Sequence, residues 1–165
     1  MIPHIQPSDL PAPENLPVAE SALATSPAEI IAQHQTRPAV LVDQSLVAEE
    51  SWADSMRGTV RWKTLLSAGL TPTESMVCGI AIMSAGDSFA PHSHPDPEIY
   101  FGIEGEADVI IDGTVHRLKP GVALFIPGGA VHGVPMTDQS CRWFYSFACD
   151  AFSDIVYNFI DDTAP

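Results

Sequence analysis

The chain has 165 residues, 21 of them acidic and 7 basic, for a formal net charge of −14 at pH 7. Hydrophobic residues make up 45% and charged residues 17%, the profile of a folded protein, and one domain with an added arm suits a chain able to hide roughly 70% of its unfolded surface. So acidic a surface repels phosphate backbones and anionic lipids, and no apolar run nears the ~20 residues of a membrane helix, so neither nucleic acid nor membrane is an expected partner.

Met1–Glu20 has several prolines and no Lys or Arg, unlike a secretory leader. Seven of the 15 prolines fall in residues 1–38, and residues 1–25 read as an extended arm, because proline fixes φ and removes a backbone donor. Ser26-Pro27-Ala28-Glu29 supplies a cap, a first-turn proline and a capping-box glutamate, predicting a short helix over 27–35 that stops before Arg37-Pro38.

From there the pattern predicts strands. Ala39–Asp43 is a short apolar run, Thr59–Leu66 alternates around Val60, Trp62 and Thr64, and Ser75–Met83 is rich in Val, Ile and Met. Glu98–Ile103, Ala107–Ile111, Thr114–Leu118, Val122–Ile126, Val131–Pro135 and Arg142–Cys149 follow, separated by glycine turns. Asp112-Gly113 between two of them is a hairpin signal. Many short strands with no intervening helices predict an all-β sandwich or barrel. Trp143, Tyr145 and Phe147 share one face of the last strand; most are expected in the core, with Tyr145 a candidate for a pocket wall. Cys78, Cys141 and Cys149 are odd in number and form no CxxC pair, so reduced thiols and a cytoplasmic location are expected.

The chemistry concentrates in Gly86-Asp-Ser-Phe-Ala-Pro-His92-Ser-His94-Pro-Asp-Pro-Glu98-Ile-Tyr100. Residues i and i+2 of an extended segment point to one side, so His92 pairs with His94, and Glu98 with Tyr100. His132, in Pro127-Gly-Gly129-Ala-Val-His132, is a further candidate. Three imidazoles and a carboxylate meeting at one point suit a single divalent transition metal, Fe, Mn, Ni or Zn. Four protein ligands on a six-coordinate ion leave two positions open, as catalysis requires.

These residues resemble the cupin superfamily. Its first motif, G-x5-H-x-H-x3-E-x6-G, is filled by Gly86, His92, His94, Glu98 and Gly105; its second, G-x5-P-x-G-x2-H-x3-N, by Gly121, Pro127, Gly129 and His132, with Met136 in place of the final Asn. The resemblance implies an all-β jelly-roll barrel, a double-stranded β-helix, with metal ligands His92, His94, Glu98 and His132 inside. It extends over about 58–150, with 1–57 as the N-terminal arm and short helix and 151–165 as a C-terminal tail packing on the barrel. Met136, Trp62 and Tyr145 become the candidate substrate contacts, and a homodimer is expected by family habit and from the long arm.

The spacing His-x-His-x3-Glu-x-Tyr…His also resembles the cupin-type dimethylsulfoniopropionate lyases. There the tyrosine two residues past the glutamate is the proposed base, and dimethyl sulfide and acrylate are the products. Carried over, Tyr100 moves the proton, with Glu98 as its catalytic neighbour. The expected activity is a metal-dependent lyase or isomerase of a small oxygen-bearing metabolite. An Fe(II) dioxygenase and a non-catalytic small-molecule-binding cupin stay open beside it, because fold and metal do not fix an activity.

Overall fold

Cys141–Phe147 shows how this sequence makes its strands. Side chains alternate inward and outward, so Cys141, Trp143, Tyr145 and Phe147 are buried while Arg142, Phe144 and Ser146 face out. Glu98–Glu104 alternates likewise, with Glu98, Tyr100 and Gly102 inside. Val77–Met83 is buried almost throughout, as its near-continuous apolar run dictates.

The computed structural model describes residues 39–160. Among the described residues, eleven strands run in chain order: β1 Glu50–Ser51, β2 Arg61–Leu66, β3 Val77–Met83, β4 Phe89–Ser93, β5 Glu98–Glu104, β6 Ala107–Ile111, β7 Thr114–Leu118, β8 Ala123–Ile126, β9 His132–Val134, β10 Cys141–Phe147 and β11 Asn158–Phe159. They form two sheets, β1-β2-β3-β10-β5-β8 and β11-β4-β9-β6-β7, with every strand pairing antiparallel. This is the expected jelly roll. The core between the sheets holds Trp143, Tyr100, Phe147, Met83 and Ile126, each almost wholly buried, and with them His92, His94 and His132.

The expected hairpin forms between β6 and β7, with Asp112 at φ 45° and Gly113 at φ 77°. Gly105 sits at φ 64° in the turn from β5 to β6, where a Cβ would collide with the Ser140 carbonyl oxygen. The predicted arm over 1–25 and helix over 27–35 lie outside the described residues.

Three local readings change. Ala39–Asp43 forms no strand: no strand pairs with it, Leu41 is 94% exposed, and Asp43 instead caps a 3-10 turn over Gln44–Leu46. The extended segment carrying His92 and His94 is in part a strand, β4, which accommodates Pro91 at an irregular register between Phe89 and His92. β1 and β11 are two-residue strands, too short for a periodic signal, and they close the sheet edges against β2 and β4. Among the described residues no helix is long and apolar enough to cross a membrane, and all three cysteines are free thiols.

Candidate metal centre

The first sheet supplies the carboxylate and the second the imidazoles. His92 on β4 pairs directly with His132 on β9, and their ring centroids are 4.2 Å apart. His94 follows β4 by one residue and faces the same way, as the i, i+2 rule requires, with its ring 5.7 Å from that of His92. Glu98 opens β5 and reaches across the barrel. Its Oε2 lies 3.4 Å from His94 Nε2 and 3.3 Å from His132 Nε2. The three imidazoles present ligand atoms within 4.8 Å of one another.

Each imidazole is held by its other nitrogen. Nδ1–H of His92 donates to the Ala90 carbonyl at 2.8 Å, that of His94 to Asp96 at 2.7 Å, and that of His132 to Ala130 at 3.0 Å. With the hydrogen on Nδ1, the neutral ring turns the Nε2 lone pair inward. Among the described residues, none of the three Nε2 atoms, nor Glu98 Oε2, has a hydrogen-bond partner. Buried lone pairs facing one another are costly, at about 1–3 kcal/mol for each unsatisfied group, and a shared cation relieves that cost for all four. Donor set, tautomers and burial fit a divalent metal ion.

Glycine builds the loop behind it. Gly129 N–H donates to the His94 carbonyl at 2.7 Å, and a Cβ on Gly128 would strike the Pro95 carbonyl. The loop before His132 therefore packs flat on the loop after His94.

Charge at the site follows burial. Desolvation pushes His92 down to about 3, with the nearby His132 and His94 adding to the effect and the Ala90 hydrogen bond opposing it. Burial also works against a charge on His94, but the Glu98 carboxylate facing it at 3.4 Å and the Asp96 carbonyl on its Nδ1 outweigh it, so His94 stands above its ordinary value. Tyr100 is pushed well above 10, first by burial, then by the Glu98 charge and by Tyr157. Cys149 is raised to about 11 by burial and by Asp96, Asp154 and Asp150, which leaves it a poor nucleophile.

Beside the ligands lies a cavity lined by Glu98, Tyr100, Trp62 and Tyr145, together with Trp52, Trp143, Phe152 and Tyr157. Trp62 and Tyr145, the candidate substrate contacts, both line this cavity. Met136 does not: it is 75% exposed and lines a separate surface hollow with Glu106, Asp108 and Arg117. Its motif position ends a strand-to-loop turn and points to solvent, so it builds no wall of the cavity.

Sequence reasoning missed Trp52, Phe152 and Tyr157. The Tyr157 ring lies 5.2 Å from His92 and 5.4 Å from His94, and Trp52 packs on Trp62 at 4.9 Å. The signal was faint: Ile155, Tyr157 and Phe159 alternate, but over too short a run to mark a strand. Three indole N–H groups, of Trp52, Trp62 and Trp143, have no acceptor among the described residues.

The fold is that of a cupin, with His92, His94 and His132 converging in its interior. The chain belongs to the cupin superfamily: its residues 79–147 match the family model described as "Cupin domain". It is 39% identical over 122 residues to dimethylsulfoniopropionate lyase DddW of Ruegeria pomeroyi, an alignment covering 74% of this chain and 80% of that one. It is 35% identical to dimethylsulfoniopropionate lyase DddQ of the same organism over 68 residues, 41% of this chain and 34% of that one. Among solved structures, the polyketide cyclase RemF of Streptomyces resistomycificus superposes with a TM-score of 0.62 at 21% identity, over 75% of this chain and 87% of that one. At that identity the likeness is one of fold.

Proposed function

We propose that this cupin is a metal-dependent lyase that eliminates dimethyl sulfide from dimethylsulfoniopropionate, with Tyr100 as the base. The observation that carries the reading is the meeting of three imidazole lone pairs and one carboxylate, all without hydrogen-bond partners, beside a buried phenol in an aromatic-walled cavity. The similarity to DddW supports the substrate.

His92, His94, Glu98 and His132 would hold the ion. When bound, a divalent cation supplies a positive charge that draws in the substrate carboxylate, stabilises negative charge developing next to it and favours the phenolate form of a nearby tyrosine. The remaining work falls to the chain. Trp52, Trp62, Phe152 and Tyr157 offer ring faces to the sulfonium group, which aromatic faces attract. The same walls exclude water, so the leaving group departs into an apolar space. Tyr100 is almost wholly buried, and its pairing opposite Tyr145 on β10 fixes its position on the inner face. Its phenolate oxygen takes the proton from the carbon next to the substrate carboxylate and becomes the hydroxyl, the C–H electron pair becomes the new double bond, and dimethyl sulfide leaves with the C–S pair.

The test is Tyr100→Phe, read by headspace gas chromatography for dimethyl sulfide and by elemental analysis of the purified protein. Turnover is expected to fall by about 100-fold or more with metal content unchanged. Unchanged turnover would remove Tyr100 from the scheme. Full activity under strict anaerobiosis is expected as well, and dependence on oxygen would transfer the site to Fe(II) dioxygenase chemistry.

A further inference from the structure

Elimination leaves a proton behind. A zwitterionic sulfonium carboxylate becomes neutral dimethyl sulfide, an acrylate anion and one H⁺. That proton starts in a closed space: Tyr100 is 1% and Glu98 4% exposed. Each turnover therefore leaves a proton on a buried base that must be emptied before the next.

One row of residues crosses the inner face of the first sheet from the cavity to the surface. Tyr100 on β5 stands opposite Tyr145 on β10, Tyr145 opposite Gly79 on β3, and Gly79 opposite Thr64 on β2. Gly79 has no side chain, and a Cβ there would strike the Tyr145 hydroxyl. The Tyr145 ring passes over this gap and brings its hydroxyl to 3.4 Å from Thr64 Oγ1. Thr64 Oγ1 in turn donates to Glu50 Oε1 at 2.8 Å, and the same carboxylate oxygen accepts from Thr64 N–H at 3.2 Å. Tyr145 and Thr64 are buried, whereas Glu50, on the edge strand β1, is exposed.

We propose that Tyr145, Thr64 and Glu50 form a proton exit path from the cavity to solvent. The proposal rests on the lyase reading. Its direction is set by the donors: with Thr64 Oγ1–H committed to the Glu50 carboxylate, its oxygen is free to accept from Tyr145. As Tyr145 takes up the hydrogen left in the cavity, it passes its own to Thr64, Thr64 passes its own to Glu50, and Glu50 gives it to water. One O–H bond breaks and one forms at each hydroxyl, so no charge is left inside. The Tyr145–Thr64 link is long, as catalytic hydrogen bonds often are before the site is loaded. Chains of hydroxyls in a dry interior also polarise one another, which strengthens the whole row.

The experiment uses the full metal-loaded protein with dimethylsulfoniopropionate. Thr64→Val keeps the shape and removes the hydroxyl; Thr64→Ser restores it. In Thr64→Val the steady-state kcat is expected to fall about ten-fold or more, with KM falling in proportion so that kcat/KM is unchanged, and with metal content unchanged. Rapid mixing is expected to show a first burst of about one dimethyl sulfide per metal site, because the base is filled once and then cannot empty. Thr64→Ser is expected to recover most of the rate. Glu50→Gln is expected to show the same burst and slow phase, relieved by added imidazole buffer, which reaches this exposed position. A Thr64→Val enzyme with wild-type kcat would overturn the path, as would equal losses in Thr64→Val and Thr64→Ser. An inactive wild type would instead strike the lyase reading itself and take the path with it.

Discussion

Acid should unfold the metal-free protein through His92. In the folded state this imidazole is pushed down to about 3 from an ordinary 6.5, so between those values the unfolded chain carries a proton that the native one refuses. Stability is therefore fully present above pH 6.5 and lost as pH falls, at ~1.4 kcal/mol per pH unit. About 2 kcal/mol is gone by pH 5, and about 5 kcal/mol by pH 3, a large part of a typical domain stability. His94, raised by Glu98, has the opposite sign: its contribution is present below 6.5 and fades as pH rises through its folded value. The assay is urea unfolding of wild type and His92→Gln, both stripped of metal, from pH 7.5 to pH 3.5. The difference in unfolding free energy between the two should slope against the wild type below pH 6.5. A flat difference across that window would show that His92 takes its proton as freely in the barrel as in the unfolded chain, and the account of its burial would fail.

Chelation followed by dialysis should lower the melting temperature by roughly 10 °C, since an ion at 1,000 times its Kd adds ~4 kcal/mol to a domain of this size; identical thermal scans with and without metal would argue against the site. Gly105→Ala forces a side chain into φ 64° against the Ser140 carbonyl and should cost about 1–3 kcal/mol by chemical denaturation; a cost below a few tenths would mean the turn rearranges freely. Met136→Gln, outside the cavity, should leave kcat and KM within about two-fold of wild type, because surface changes away from a site perturb little. A large rise in KM would return Met136 to the substrate wall.

What the sequence determined by itself were the features encoded by local spacing. His92 and His94 face one way because alternate residues of an extended chain must; Asp112-Gly113 turns because both residues tolerate positive φ; β6 and β7 carry their predicted boundaries because glycine turns bracket them. The convergence of His92, His94, Glu98 and His132 was legible for the same reason, since each motif is a short run with fixed offsets. Tertiary structure alone decided what lies between distant segments. Trp52, Phe152 and Tyr157 reach the cavity from outside both motifs, Met136 leaves it, and Ala39–Asp43 forms no strand because no strand pairs with it. The row from Tyr100 to Glu50 is likewise invisible in one dimension, because strand register sets which residues stand side by side, and register is fixed only when the two sheets close on one another and bury a common core.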